Sequence, residues 1–363
     1  MDGVSKIRST QLFCILFVSR IITTLMLMPS KERSAITVDM LPRVLLWDVL
    51  VFLCILPVLV IYEKGKSGIL DYANGISPAA CKITAALLAL YFLLENIILL
   101  SGFEVFSTTV VFPEMNAILF IILFTGICAY IASLGLEALA RTSSVVMVLT
   151  VIVVALLLST LVPQVRKFNF TPLFYDGIQP VLRSAFRSLS STSEIAIFAV
   201  IMPHATGKIK RAYWKWMAWI SGSILVLSFF AVGVLGEFAS TQIFPFYTLA
   251  EIAKAGIFQR LDSVMTSVWV ACAAVKSGLL IYLFSYCVKR IFPHAPKGAL
   301  IFTAGALITL ATGYVSFDEN RYLAISEYWF SLAVFAVVVF LIPLLLLIAG
   351  AVRDRRIRKG ADS

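Results

Sequence analysis

SLSSTSEIAIF, residues 188–198, sets five hydroxyl-bearing residues in its first six positions and a glutamate directly after them. On its left stands VLRSAFR with two arginines, and on its right an apolar stretch that ends at Pro203. Unpaired backbone groups in hydrocarbon cost roughly several kcal/mol each, so irregular backbone occurs in a membrane only where protein or water covers it. Serine and threonine compete for backbone hydrogen bonds and weaken a helix locally. The pattern predicts a discontinuous segment, two half-helices whose ends face a cavity near the bilayer midplane. Such ends carry opposite partial charges that suit the two ends of a zwitterion. The alternative is an unbroken helix whose serines pack closely against a neighbour.

The rest of the chain makes the membrane setting plain. Of 363 residues, 60% are hydrophobic and 14% charged, where a soluble domain is about half apolar and a quarter charged. The apolar residues fall into runs long enough to cross about 30 Å of hydrocarbon. We read an all-α polytopic membrane protein with ten spans, at roughly 10–28, 42–62, 82–103, 115–135, 143–162, 185–203, 213–236, 263–289, 298–315 and 328–350. They form one integral membrane unit over residues 1–363, with halves at about 10–162 and 170–350 and a basic tail at 351–363. The first apolar stretch leads to Pro29 and charged residues, with no small-residue cleavage site, so it reads as a span and not as a signal peptide.

The net charge of +10 is set by topology. One set of loops holds Lys6, Arg8, Lys64, Lys66, Lys82, Arg141, Lys208, Lys210, Arg211, Lys289, Arg290 and the tail RDRRIRKG, and the other set holds far fewer basic residues. Positive loops stay cytoplasmic, so both termini are expected there and no nucleic-acid partner is needed to explain the charge. The six cysteines lie in or at the ends of apolar runs without CxxC spacing, and the two histidines make no metal pattern. We expect no cofactor and no metal. There is no glycine-rich phosphate loop and no GxSxG, so the chain does not read as an enzyme. Asn169-Phe170-Thr171 matches a glycosylation sequon, a triplet common by chance.

Span one repeats the theme of the opening stretch. LFCILFVSRIITTLMLMP carries Ser19, Arg20, Thr23 and Thr24 in its middle, which predicts a second interruption. Spans one and six would open two five-span halves of opposite orientation, and interrupted helices in such positions point to a transporter binding site. Arg20, Glu95, Glu194 and Lys276 all stand inside apolar runs. Each central charge costs at least ~2.5–3.5 kcal/mol, so each should face a partner or a water-filled cavity. Two arrangements are open. In one, Arg20–Glu194 and Lys276–Glu95 are structural ion pairs. In the other, Arg20 or the span-six backbone receives a ligand carboxylate and Glu194 its ammonium. Lys276 is then a fixed or titrating cation able to carry a coupling proton or replace a sodium. The expected ligand-binding set is Ser19, Arg20, Thr23, Ser190, Ser191, Thr192, Ser193 and Glu194. Between spans seven and eight, residues 247–258 carry apolar side chains at helical spacing. They predict a short amphipathic helix lying on the outer face, either a plain connection or a lid.

Four stretches resemble one family. They are GLEALARTSSV (135–145), NFTPLFYDGIQPVLRSAF (169–186), SSTSEIAIFAVIMPH (190–204) and FPFYTLAEIAKAGIFQRLDSVMTSVWVACAAVKSG (244–278). Their order and spacing are similar to the endospore germination permease family, the B-type integral subunits of germinant receptors. That family lies within the amino acid–polyamine–organocation superfamily. The resemblance implies the LeuT-like fold of two inverted five-helix repeats, with ligand between the breaks of spans one and six. It implies an amino acid-like nutrient germinant, a place in the spore inner membrane, and an A-type subunit and a C-type lipoprotein subunit as partners. Arg260, Asp262, Trp269 and Lys276 stand in familiar places of the fourth stretch, and with Glu95 and Arg187 they are the expected coupling or gating residues. Span one departs from the superfamily in lacking the glycines that usually unwind it, and span six uses serines where glycine is common.

The leading expectation is therefore a ligand-sensing receptor subunit in a bacterial or spore membrane. The alternatives are a proton- or sodium-coupled amino acid transporter and a non-binding scaffold. The topology is directly testable. In a cysteine-free background, an impermeant thiol reagent applied to intact cells should label Glu114→Cys and leave Gly360→Cys unlabelled. Labelling of both, or of Gly360→Cys alone, would reverse the assigned orientation.

Overall fold

A computed structural model of the chain describes residues 6–26, 38–65, 67–174, 177–253, 262–318, 321–322 and 328–361. It is nearly all helical, as the apolar runs require. The helices are α1 (Ser9–Leu25), α2 (Met40–Gly65), α3 (Ile69–Ile76), α4 (Pro78–Phe106), α5 (Ala117–Ser133) and α6 (Leu136–Leu161) in the first half. The second half holds α7 (Gln179–Ser190), α8 (Glu194–Ile201), α9 (Ile209–Phe230), α10 (Pro245–Ile252), α11 (Asp262–Ile291), α12 (Lys297–Ser316), α13 (Tyr328–Phe335) and α14 (Ile342–Ala361). Local chemistry marks several starts. Ser77 caps α4 by accepting from Ala80 N, with Pro78 at the first helical position. Asn116 caps α5 through Ile118 N and Leu119 N.

Among the described residues, eight helical stretches are long and apolar enough to cross a bilayer. Two shorter apolar helices, α1 and α5, stand where spans one and four are expected. Burial orders them. In the most apolar 18-residue windows, 78% of residues are buried for Gln179–His204 and 67% for Asp262–Ile291, against 28% for Leu136–Gln164. Spans six and eight are thus wrapped by protein, as is most of α1, while the other long spans show lipid a broad face.

Packing partnerships repeat five spans on. α1 packs on α6 and α9, and α7 correspondingly packs on α13 and α2. α5 packs on α11, and α12 packs on α4. The pairs α4–α11 and α5–α12 map onto themselves. The halves are also antiparallel, because the strand just before α1 pairs with the strand just after α8, Ile7 opposite Ala205 and Arg8 opposite Thr206. Span one begins where span six ends.

The expected break in span one is absent. α1 runs unbroken from Ser9 to Leu25. It contains no glycine or proline, and the Thr23 and Thr24 hydroxyls donate to Ser19 O (3.2 Å) and Arg20 O (3.3 Å). Hydroxyls that bond back onto their own helix satisfy themselves without opening it. The expected surface helix over 247–258 is also corrected. α10 covers Pro245–Ile252, and its residues from Pro245 to Ala250 are all buried. Phe244 and Tyr247 meet the Phe106 ring at 5.1 and 5.6 Å, and Trp269 lies 5.0 Å from Phe106. α10 is an aromatic wedge between the ends of α4 and α11, because its flanking aromatic residues make both faces apolar. Residues 254–261, with Arg260, lie outside the described residues.

The opposite end is tied by polar contacts. His204 Nε2 and Tyr286 Oη are 3.0 Å apart, Arg290 donates to Tyr286 Oη (2.8 Å), and Arg290 pairs with Asp71 of α3 (2.8 Å). This cluster joins the end of span six to the end of span eight. Asn169, the sequon residue, donates to Gly233 O (3.0 Å) and so serves a loop contact.

α11 approaches α5 closely at Gly278, where an added Cβ would meet Cys128 O at 3.2 Å and Ile131 Cγ2 at 3.3 Å. Gly278→Leu should lower the stability of the purified protein by about 1–3 kcal/mol, read as a lower thermal midpoint in detergent. Gly222→Leu, where nothing lies within 4 Å, should leave it unchanged. Equal midpoints for the two variants would refute the close contact.

Candidate functional site

α7 stops at Ser190 and α8 starts at Glu194, so span six is broken within the opening stretch of sequence. The hydroxyls do the breaking. Ser190 Oγ donates to Arg187 O (2.8 Å), while Ser191 Oγ (3.1 Å) and Thr192 Oγ1 (2.8 Å) both donate to Ser188 O. The last carbonyls of α7 are thus met by side chains in place of the next turn's amides.

Arg20 of the unbroken α1 completes this end. Its Nη1 donates to Ser191 O (3.0 Å) and Ser191 Oγ (3.3 Å), and its Nη2 to Ser188 O (3.3 Å). A guanidinium at a helix C-terminus meets the negative end of the helix dipole. The same group lies 4.6 Å above the Trp47 ring, and Trp47 Nε1 donates to Thr192 Oγ1 (3.0 Å). Arg20 is therefore held by backbone and ring, and not in an ion pair with Glu194.

Glu194 opens α8, where a carboxylate suits the positive end of a helix. Its Oε1 accepts from Ser19 Oγ (2.8 Å) and from Lys276 Nζ (3.2 Å). Lys276 also donates to Thr23 Oγ1 (2.6 Å). A closed ring of contacts thus links α1, α8 and α11. Three of its four members are out of water, Glu194 at 0%, Lys276 at 1% and Ser19 at 1% exposed, while Thr23 is half-buried. Lys276 pairs with Glu194 and not with Glu95. Glu95 is half-buried on α4, within the fields of Lys276, Glu194 and Arg20.

Several buried polar atoms around this ring have no hydrogen-bond partner among the described residues: Glu194 Oε2, Ser193 Oγ, Arg20 Nε and Tyr213 Oη. Tyr91 and Tyr213 both lie within electrostatic reach of Glu194. Buried polar atoms in folded proteins are seldom left unpaired, so their gathering here fits a place for a small polar guest.

The structure brings Ser19, Arg20, Thr23, Ser190, Ser191, Thr192, Ser193, Glu194 and Lys276 together. Of the other expected residues, Glu95 stands beside this ring within the fields of Lys276 and Glu194, Arg260 is not among the described residues, and the remaining three lie elsewhere. Trp269 sits in the aromatic wedge, and Asp262 is buried at the start of α11 and accepts from Tyr247 Oη (3.3 Å). Arg187 is half-buried on α7. Sequence reasoning missed Trp47, Tyr91 and Tyr213. Asp48, an acid inside span two beside Trp47, was the available signal for the first of these.

These features define a multi-pass helical membrane protein whose fold is shared with membrane proteins of known structure. A sodium-coupled sialic acid symporter, solved in a substrate-bound outward-open state, superposes with a TM-score of 0.63 at 13% identity over 93% of this chain and 80% of its own. MhsT, solved in complex with L-phenylalanine, gives a TM-score of 0.62 at 13% identity over 96% and 99%. The chain belongs to the spore germination protein family, whose description matches residues 6–320. It is 27% identical over 266 residues to the Bacillus subtilis (strain 168) protein named "Putative spore germination protein YfkT", covering 70% of this chain and 72% of that one.

The Lys276–Glu194 pair should behave as a buried ion pair. Lys276→Met alone should cost about 3–5 kcal/mol, and the Lys276→Met, Glu194→Leu double variant clearly less. Thermal denaturation of the three proteins measures this, and additive losses would show that the two groups are not coupled.

Proposed function

We propose that this chain is the B-type integral subunit of a spore germinant receptor. It binds a small nutrient germinant, an amino acid, where the break between α7 and α8 faces Ser19, Arg20 and Thr23 of α1. It signals through an A-type subunit and a C-type lipoprotein subunit in the spore inner membrane, with both termini cytoplasmic. Family membership supports the receptor setting. The observation that carries the site is the Glu194 carboxylate, wholly buried with Oε2 unpartnered at the mouth of a half-helix. A ligand ammonium would complete that carboxylate.

Binding there has a route to a signal. The ligand competes for a carboxylate that ties α8 to α1 and α11, so it biases the arrangement of those helices by the difference in its affinity for two states. Lys276 and Glu95 then redistribute charge around it, and the wedge containing Trp269 and Asp262 seals one end.

A coupled amino acid transporter is the second reading. It is favoured by the fold shared with a solved sodium-coupled symporter and with MhsT, solved with a bound amino acid, and by Lys276, whose ammonium sits between α1 and α11 as a bound cation would.

Spores whose only B-type subunit carries Glu194→Gln should lose the amino acid germination response while the protein still inserts at normal levels. A normal dose response from well-expressed Glu194→Gln would remove the residue from the site. Labelled amino acids that accumulate in proteoliposomes of the purified chain under a pH or sodium gradient would favour transport.

A further inference from the structure

One buried charge is not accounted for by the Glu194 ring. Arg43, in the first turn of α2, is only 7% exposed, yet its guanidinium has no hydrogen-bond or ion-pair partner among the described residues. Asp39, one turn earlier, does not serve it, and accepts instead from Phe174 N (2.8 Å). Among the described residues, the ionised side chain within reach of Arg43 is another cation, Arg20. Glu194, Glu95 and Asp48 all act on Arg20, but none of them acts on Arg43.

The two arginines share a neighbour. Arg43 and Trp47 are four residues apart and lie on one face of α2. Arg20 sits 4.6 Å over the Trp47 ring. Arg20 has its two terminal nitrogens engaged by α7, while its Nε is buried without a partner. The pair thus offers a whole guanidinium from Arg43 and one further N–H from Arg20. A desolvated cation beside a like charge is unfavourable until an anion joins it. Guanidinium groups match the planar, two-oxygen geometry of a carboxylate.

We infer that Arg43 and Arg20 form a carboxylate subsite on the Trp47 face of α2, taking the carboxylate of a small organic ligand. This deepens the germinant reading, because it assigns the acidic end of the ligand to α2 and α1. The subsite stands on its own geometry, however, and can be tested without germination. It also carries an unusual sign. Arg43 is unpaired among the described residues, so removing its charge should stabilise the free protein while abolishing the binding of carboxylates. A side chain kept for packing or for a hidden ion pair would do the reverse.

The test is thermal unfolding of the full purified chain in detergent against sodium acetate, inorganic phosphate and neutral acetamide, at ionic strength held constant with sodium chloride. Acetate should raise the midpoint saturably, and acetamide should not. Arg43→Gln should start from a higher midpoint without ligand and lose the acetate effect by about ten-fold or more in apparent affinity. Arg43→Lys should recover part of it. A lower ligand-free midpoint for Arg43→Gln, or equal acetate responses in wild type and variant, would overturn the subsite. Stabilisation by phosphate and not by acetate would overturn its assignment to a carboxylate. A normal acetate response of the purified chain, together with spores that carry it and ignore amino acids, would leave the subsite standing and remove the germinant reading.

Discussion

The structure depends on how the open end of α7 is closed. A helix that stops inside a membrane leaves its last carbonyls without amides, and hydrocarbon offers nothing to replace them. Here the replacements come from two places. The hydroxyls of Ser190, Ser191 and Thr192 fold back onto Arg187 O and Ser188 O, and Arg20 reaches across from α1 to Ser188 O and Ser191 O. Because α1 supplies the charge, span one and span six are fastened at the depth where span six is broken. Trp47 adds the third side of the joint, giving its ring to Arg20 and its N–H to Thr192. Three helices from both halves of the chain are committed to one break.

That joint explains why a single interruption suffices. Where two spans are broken, free backbone from both can line a site. In this chain α1 stays helical and contributes side chains instead: Ser19 to Glu194, Thr23 to Lys276, Arg20 to α7. The absence of glycine from α1 and the presence of hydroxyls at spacing suited to back-bonding favour this solution. The polar lining is then made of groups whose identity, and not merely whose backbone, sets what they bind. Substitutions in span one should therefore alter chemistry without altering the path of the helix.

The helical class, most spans and the break in span six were legible in the sequence because each rests on local physics. Apolar runs of membrane length and a cluster of five hydroxyls in six residues need no tertiary information. The state of span one was not legible. Ser19, Thr23 and Thr24 read as helix weakeners, and only the structure shows two of their hydroxyls returning to their own helix. Pairing among the buried charges was equally hidden. Composition placed Arg20, Glu95, Glu194 and Lys276 in the membrane, but which of them meet depends on the rotation of four helices about their axes. α10 was misread for a related reason. Its charged neighbours at Glu251 and Lys254 suggested a solvated face, whereas Phe244 and Tyr247 find aromatic partners on other helices and Phe246 is buried with them.

The buried charges also constrain how the molecule can respond to a guest. Lys276 and Glu194 satisfy each other only in part: one carboxylate oxygen carries both Lys276 and Ser19, and the other carries nothing. A cationic group arriving at the open oxygen would add to the pair at first and then weaken it, since a single negative charge divided between two ammonium groups attracts each less than it attracts one. Lys276 has an alternative acceptor in Thr23 and a second carboxylate, Glu95, within its field. It can therefore shift its contacts without being left unpaired in a dry interior, which would otherwise oppose the change strongly. α11 carries Lys276 at its centre, the Trp269 wedge toward one end and the Tyr286–Arg290 cluster at the other. On the receptor reading, a small change in the sharing of one carboxylate is placed on the helix that touches both closures of the molecule.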